Sequence, residues 1–184
     1  MTPPRRAVCV YCGSNANVPP TYLELAAKVG SGIAARNWTL VWGGSQAAMM
    51  GVLAQSARHA GAPTIGVIPR ALVDREFADT GADELHVVET MRERKAVMDG
   101  HADAFLALPG GLGTCEELFE VWTARALGMH SKPVVLLDPD GHWAGLLSWV
   151  RALRARGFAS DAALDALTVT ASVDAALDAC GPVS

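Results

Sequence analysis

The densest run of chemically useful residues is Pro109-Gly110-Gly111-Leu112-Gly113-Thr114-Cys115-Glu116-Glu117, directly behind the apolar stretch Ala104–Leu108. Glycine lets the backbone approach a ligand with no Cβ in the way. The first turn of a helix offers unpaired N–H groups and a partial positive charge, which together suit a phosphate. A helix beginning near Thr114 makes this loop an anion cradle, with Thr114 capping the helix or bonding a phosphate oxygen. A purely structural account also fits, in which Thr114 caps a glycine turn and Glu117 closes a capping box. Glu116 and Glu117 fall where the helix dipole favours carboxylates, one of them facing a bound sugar, and Glu120 lies one turn on. No Gly-Lys-Ser/Thr follows and no G-x-G-x-x-G is present, so neither a Walker loop nor a dinucleotide fingerprint is available.

A second group is Met91-Arg92-Glu93-Arg94-Lys95, behind the apolar run Leu85–Val88. Arg94 and Lys95 are about 100° apart on a helix. They cannot both point into bulk solvent if Met91 and Met98 pack inward. An arginine beside an anion loop is a good phosphate or carboxylate partner; a solvated charged face is the alternative. Two further loops follow strand patterns: Trp42-Gly43-Gly44-Ser45-Gln46-Ala47-Ala48-Met49-Met50-Gly51 and Cys12-Gly13-Ser14-Asn15. The first of them could lie close under a base or sugar.

Metal and redox chemistry find less support. Cys9 and Cys12 form a lone C-x-x-C, but they straddle the end of a strand, whereas a redox pair normally opens a helix and zinc needs a second pair. With Cys115 and Cys180 they read as buried thiols. The histidines at 59, 86, 101, 130 and 142 show no metal-binding spacing, and surface or capping roles are expected for each.

The elements that must carry these loops are legible as an alternation. Strand patterns cover 7–12, 39–42, 64–68, 85–88, 104–108, 133–137 and 167–170. Helical patterns cover 20–36, 47–60, 91–100, 114–128, 143–156 and 172–180. The strands are continuously apolar, as in a parallel sheet covered on both faces. This predicts one α/β domain over 1–184, a Rossmann-like three-layer doubly wound parallel sheet, with ligands outside the carboxyl ends of the strands. The soft region is 70–84, a polar loop or short helix. Helix 114–128 carries apolar residues around most of its circumference, which predicts burial on both sides, between the sheet and a partner subunit.

Composition sets the class. The chain has 184 residues, 51% apolar and 18% charged, with a net charge of −4; general disorder is excluded. No apolar run reaches the ~18 residues of a membrane span, and Met1 to Arg6 lack the apolar core of a secretory signal. No wide basic face marks a nucleic-acid binder. A cytoplasmic domain binding a small molecule is the expectation.

Together these residues resemble the LONELY GUY family of cytokinin riboside 5′-monophosphate phosphoribohydrolases, often labelled lysine decarboxylases. The pattern P-G-G-x-G-T-x-x-E is matched by Pro109 to Glu117, and M-x-x-R-K by Met91, Arg94 and Lys95. The resemblance runs from Val8 to about Trp149 and includes Cys12-Gly13-Ser14, Ile65-Gly66-Val67-Ile68-Pro69 and Leu127-Gly128-Met129-His130. Ser45 and Ala48 stand where the family usually has glycine.

The resemblance implies a homodimer or higher oligomer that splits a nucleoside 5′-monophosphate into base and ribose 5-phosphate without metal or organic cofactor. Glu117 and Arg94 would be catalytic. Glu76, Lys95, Gly110, Gly111, Leu112, Gly113, Thr114, Cys115, Glu116 and Thr123 would bind the nucleotide. Thr123, six residues past Glu117, lies about 120° round the helix and would reach in from the flank. Two other readings are a non-catalytic nucleotide carrier of the same fold and a pyridoxal-phosphate decarboxylase. The latter needs a Schiff-base lysine, and the chain offers only Lys28, Lys95 and Lys132.

Overall fold

A computed structural model describes residues 5–75 and 77–182; Glu76 therefore lies outside the described residues. Seven strands, β1 (Ala7–Tyr11), β2 (Thr39–Trp42), β3 (Thr64–Pro69), β4 (Glu84–Val88), β5 (Ala104–Ala107), β6 (Val134–Leu137) and β7 (Thr168–Thr170), form one sheet in the order β4-β3-β2-β1-β5-β6-β7. Every pairing is parallel. The helices are α1 (Pro20–Ala35), α2 (Ala48–His59), α3 (Met91–His101), α4 (Leu112–Ala126), α5 (Ala144–Ala155), α6 (Asp161–Asp165) and α7 (Val173–Ala179).

Side chains alternate across the sheet, and this alternation divides the core. Val8, Val10 and Cys12 pack with α1, α2 and α7, while Cys9 and Tyr11 pack with α3, α4, α5 and α6. The inner strands β1, β2, β5 and β6 are buried throughout, whereas the edge strands β4 and β7 are part-exposed. The expected three-layer, doubly wound architecture is present.

Three local differences from expectation have physical reasons. Helix α4 begins at Leu112, with Gly111 as an N-cap that offers no side chain. Thr114 is thus the third helical residue, and no Thr114–Glu117 capping box forms. The capping box belongs to α3, where Thr90 Oγ1 accepts from Glu93 N at 3.1 Å and the Glu93 carboxylate accepts from Thr90 N at 3.3 Å. Helix α6 has five residues, too few to show a period, and Ser160 caps it at Ala163 N. Finally, Trp122 is covered by its own chain: its Nε1 donates to Ala163 O at 2.6 Å and its ring stacks on Phe119. The wide apolar surface of α4 is thus partly covered within the subunit by α6. The soft region holds a 3-10 turn at Arg70–Leu72 and an isolated bridge from Ala78 to Ser45.

Candidate active site

The strand order reverses between β1 and β5, where the chain leaves for opposite faces of the sheet. Such a point opens a crevice at the carboxyl ends of the strands. Here the crevice is a cleft of about 560 Å³, walled by the loops after β1 and β5, the first turns of α4, Met49 and Met50 of α2, Arg94 of α3 and His142 after β6. Backbone bonds join the two central loops: Leu108 N donates to Tyr11 O at 2.9 Å and Gly13 N to Pro109 O at 3.2 Å.

The β5–α4 loop has glycines of two kinds. A Cβ on Gly110 would stand 2.1 Å from Thr114 Oγ1, so the buried threonine hydroxyl tucks beneath Gly110. A Cβ on Gly111 or Gly113 would meet nothing within 4 Å. Packing does not require those two glycines; they leave the helix terminus open on its cleft side. Glu116 and Glu117 line the same cleft. Burial, with a further push from the Glu117 carboxylate, raises the pKa of the Cys12 thiol far above its usual range. Cys12, on the cleft wall, therefore stays protonated and is no nucleophile.

Arg94 is buried at 5% exposure. Its Nε donates to Val67 O at 3.0 Å and its Nη2 to Gly43 O at 2.5 Å, so the ends of β2 and β3 hold the guanidinium. Gly43 makes room for it, because a Cβ there would lie 2.2 Å from Nη2. Lys95 turns the other way and pairs with Glu116 and Glu120 on α4. In the loop that departs from the usual glycines, Gly44 has φ +71 and Ala48 has φ +47. The Ala48 position therefore requires a left-handed backbone that favours glycine. Ser45 is buried and its Oγ accepts from Ala47 N at 2.9 Å.

The cleft thus gathers Arg94, Gly110, Gly111, Leu112, Gly113, Thr114, Glu116 and Glu117. Lys95, Cys115 and Thr123 stand off its wall: Lys95 spans α3 and α4, Cys115 packs half-buried against the core on α4 rather than fully buried like the other three cysteines, and Thr123 is exposed. Sequence reasoning missed His142 and Tyr22, which also line the cleft. For His142 the one sequence signal is Asp140-Gly141-His142, a turn behind β6; Tyr22, in α1, has none.

Residues 50–180 match the family described as possible lysine decarboxylase. Over 180 residues the chain is 52% identical to a Mycobacterium marinum protein named cytokinin riboside 5′-monophosphate phosphoribohydrolase, covering 98% of this chain and 96% of that one. The chain belongs to the LONELY GUY family. A Mycobacterium tuberculosis member of the same name is 51% identical, covering 95% of this chain and 93% of its own. An Arabidopsis thaliana member is 42% identical, covering 86% and 74%. The LONELY GUY loop P-G-G-x-G-T-x-x-E is the segment that builds the glycine-lined end of α4. A molybdenum cofactor carrier protein from Chlamydomonas reinhardtii shares the fold, with a TM-score of 0.73 at 23% identity over 96% of each chain.

Proposed function

We propose that the chain hydrolyses the N-glycosidic bond of an adenosine 5′-monophosphate, plain or N6-substituted, to free base and ribose 5-phosphate. The observation that carries this reading is one cleft holding an open helix N-terminus, Glu117 and a clamped Arg94. The N–H groups at Gly111–Thr114 and the dipole of α4 suit the 5′-phosphate. Glu117 lies three residues past Thr114, on the same side of the helix and one turn deeper, where a ribose would extend from that phosphate. As the C1′–N bond breaks, its electron pair goes to the base, which takes up a proton, and positive charge develops on the sugar. The Glu117 carboxylate stabilises that charge and orients the water whose oxygen bonds to C1′ and whose released proton balances the one the base takes up. Arg94, fixed on two carbonyls, keeps carboxylate and substrate in register. By family resemblance Glu76, Cys115 and Thr123 contribute to nucleotide binding, as does Lys95.

None of the three lysines stands on the cleft wall, and Lys95 and Lys132 are paired with Glu116 and Asp99 respectively. That placement speaks against a decarboxylase built on a lysine Schiff base. A homodimer or larger homo-oligomer fits the exposed Leu127 and Met129 at the end of α4. Among the described residues no helix is long and apolar enough to cross a membrane; by family resemblance the substrate is a small nucleotide rather than a nucleic acid, and the place of work the cytoplasm. The test is Glu117→Gln, which keeps shape and removes charge. It should still bind AMP and lose about two to three orders of magnitude in kcat; chromatographic base release near the wild-type rate overturns the assignment.

A further inference from the structure

His142 follows β6 and lines the cleft, and with Arg94 it is one of two basic side chains among the described residues of that wall. Its Nε2 stands 3.3 Å from Gly110 N and 3.0 Å from Gly110 O. One ring nitrogen cannot serve both. Without a proton it accepts from the Gly110 N–H; with a proton it donates to the Gly110 carbonyl. The neutral ring can take either role by tautomer, whereas an imidazolium, protonated on both nitrogens, can only donate to the carbonyl and leaves the first N–H of the glycine loop to the cleft.

The ring is held for this role. It packs edge-on against Trp143 at 4.7 Å and Tyr22 at 5.9 Å between centroids. The Tyr22 hydroxyl donates to Asp140 Oδ2 at 2.7 Å, and Asp140 Oδ1 accepts from His142 N at 3.3 Å. The charged groups that share its loop or cleft are Asp140 and Asp138, which accept from His142 N and Trp143 N, Glu116 and Glu117 from α4, and Arg94 from α3; Tyr22, from α1, is titratable. The hydrogen bond to Asp140 raises the Tyr22 pKa, so that hydroxyl stays a donor.

We propose that His142 is a proton-linked anchor for the substrate phosphate: as imidazolium it bonds the Gly110 carbonyl, releases the Gly110 N–H to the anion and adds a positive charge beside it. The proposal rests on the phosphoribohydrolase reading for what the anion is. Histidine changes charge between about pH 5 and 8, so the effect falls in an accessible window. The experiment is calorimetric titration of ribose 5-phosphate into wild type and His142→Gln at about pH 6.5 and 8.5, in two buffers of different ionisation enthalpy. Glutamine keeps both hydrogen-bonding capacities without titrating. A charged bond is about twice as strong as a neutral one, so wild type should bind about tenfold more tightly than the variant at the lower pH. That gap should close at the higher pH, and on binding the wild type should take up more protons than the variant, the second ionisation of the phosphate at about pH 6 being common to both. KM for AMP should follow the same pattern while kcat does not. Equal affinities with equal proton uptake, or no uptake by the wild type at about pH 7.5, overturn the proposal. Base release from AMP by the wild type is measured alongside: its absence defeats the enzymatic reading and leaves the anchor to be judged by the ribose 5-phosphate titrations.

Discussion

Alanine at Gly113 separates the two accounts of the glycine loop, because they predict opposite signs. Gly113 is the second residue of α4, and a Cβ there would touch nothing in the protein within 4 Å. Replacing glycine by alanine inside a helix stabilises by about 0.5–1 kcal/mol. For a domain of this size that raises Tm by about 1–4 °C. The Cα–Cβ bond of a helical residue tilts toward the helix N-terminus, so the new methyl group leans to where a phosphate must sit. A displacement of about 1 Å can cost about 10²-fold in rate, and that is the expected loss in kcat/KM for AMP. Gly110→Ala is the contrast. Its Cβ would lie 2.1 Å from Thr114 Oγ1, so it should lower Tm and activity together. Scanning calorimetry without ligand and chromatographic base release supply both readings. A Gly113→Ala protein with raised Tm and unchanged kcat/KM refutes the ligand-approach argument, since the glycine would then serve nothing that the alanine cannot.

Other consequences follow from the same geometry. Gly43→Ala must push the Arg94 guanidinium away: a Cβ at 2.2 Å from Nη2 against an ordinary contact of 3.4 Å demands a shift of about 1.2 Å, enough to lower kcat about 10²-fold, and wild-type turnover would show that the position of Arg94 is immaterial. Ala48→Gly should stabilise by about 0.5–1 kcal/mol, because alanine at φ +47 carries a left-handed penalty that glycine escapes; denaturant unfolding reads the sign. AMP should exceed adenosine in kcat/KM by at least about 10²-fold, since two charge-assisted bonds at roughly 1.5–3 kcal/mol each act on the phosphate; a ratio near one reduces the loop to a structural turn.

The inner strands were readable because β1, β2, β5 and β6 lie in nearly unbroken apolar runs ended by a polar residue, glycine or proline, and β2 falls on Thr39–Trp42 as expected. The start of α4 was not, because Thr114 has the chemistry of a cap while the actual N-cap, Gly111, has no side chain to announce itself. Arg94 and Glu117 could be chosen from motif spacing, since both sit on helices that start at the carboxyl edge of the sheet. His142 could not, because its partner Gly110 lies 32 residues away and a single histidine has no period. The direction of Lys95 was equally hidden: helical geometry separates it from Arg94, yet only the packing of α3 against α4 decides which of the two turns to the cleft.

That division gives the adjacent Arg94 and Lys95 a shared purpose. About 100° apart on α3, they reach different neighbours. Arg94 fastens the helix to the sheet through the carbonyls of Gly43 and Val67. Lys95 fastens it to α4 through Glu116 and Glu120. One helix is thereby registered against both bodies that form the cleft, so the separation between Arg94 and Glu117 is set by two consecutive residues. The Lys95 pairs also compensate two carboxylates in the second and third turns of α4, one of them, Glu116, on the cleft wall where its charge would repel a phosphate. A lysine off the cleft wall can thus govern both the geometry and the field of the site. The partner carboxylates are more than half exposed and ion pairs open to solvent contribute only about 0–1 kcal/mol to stability, so its effect should be felt in turnover and phosphate affinity more than in Tm.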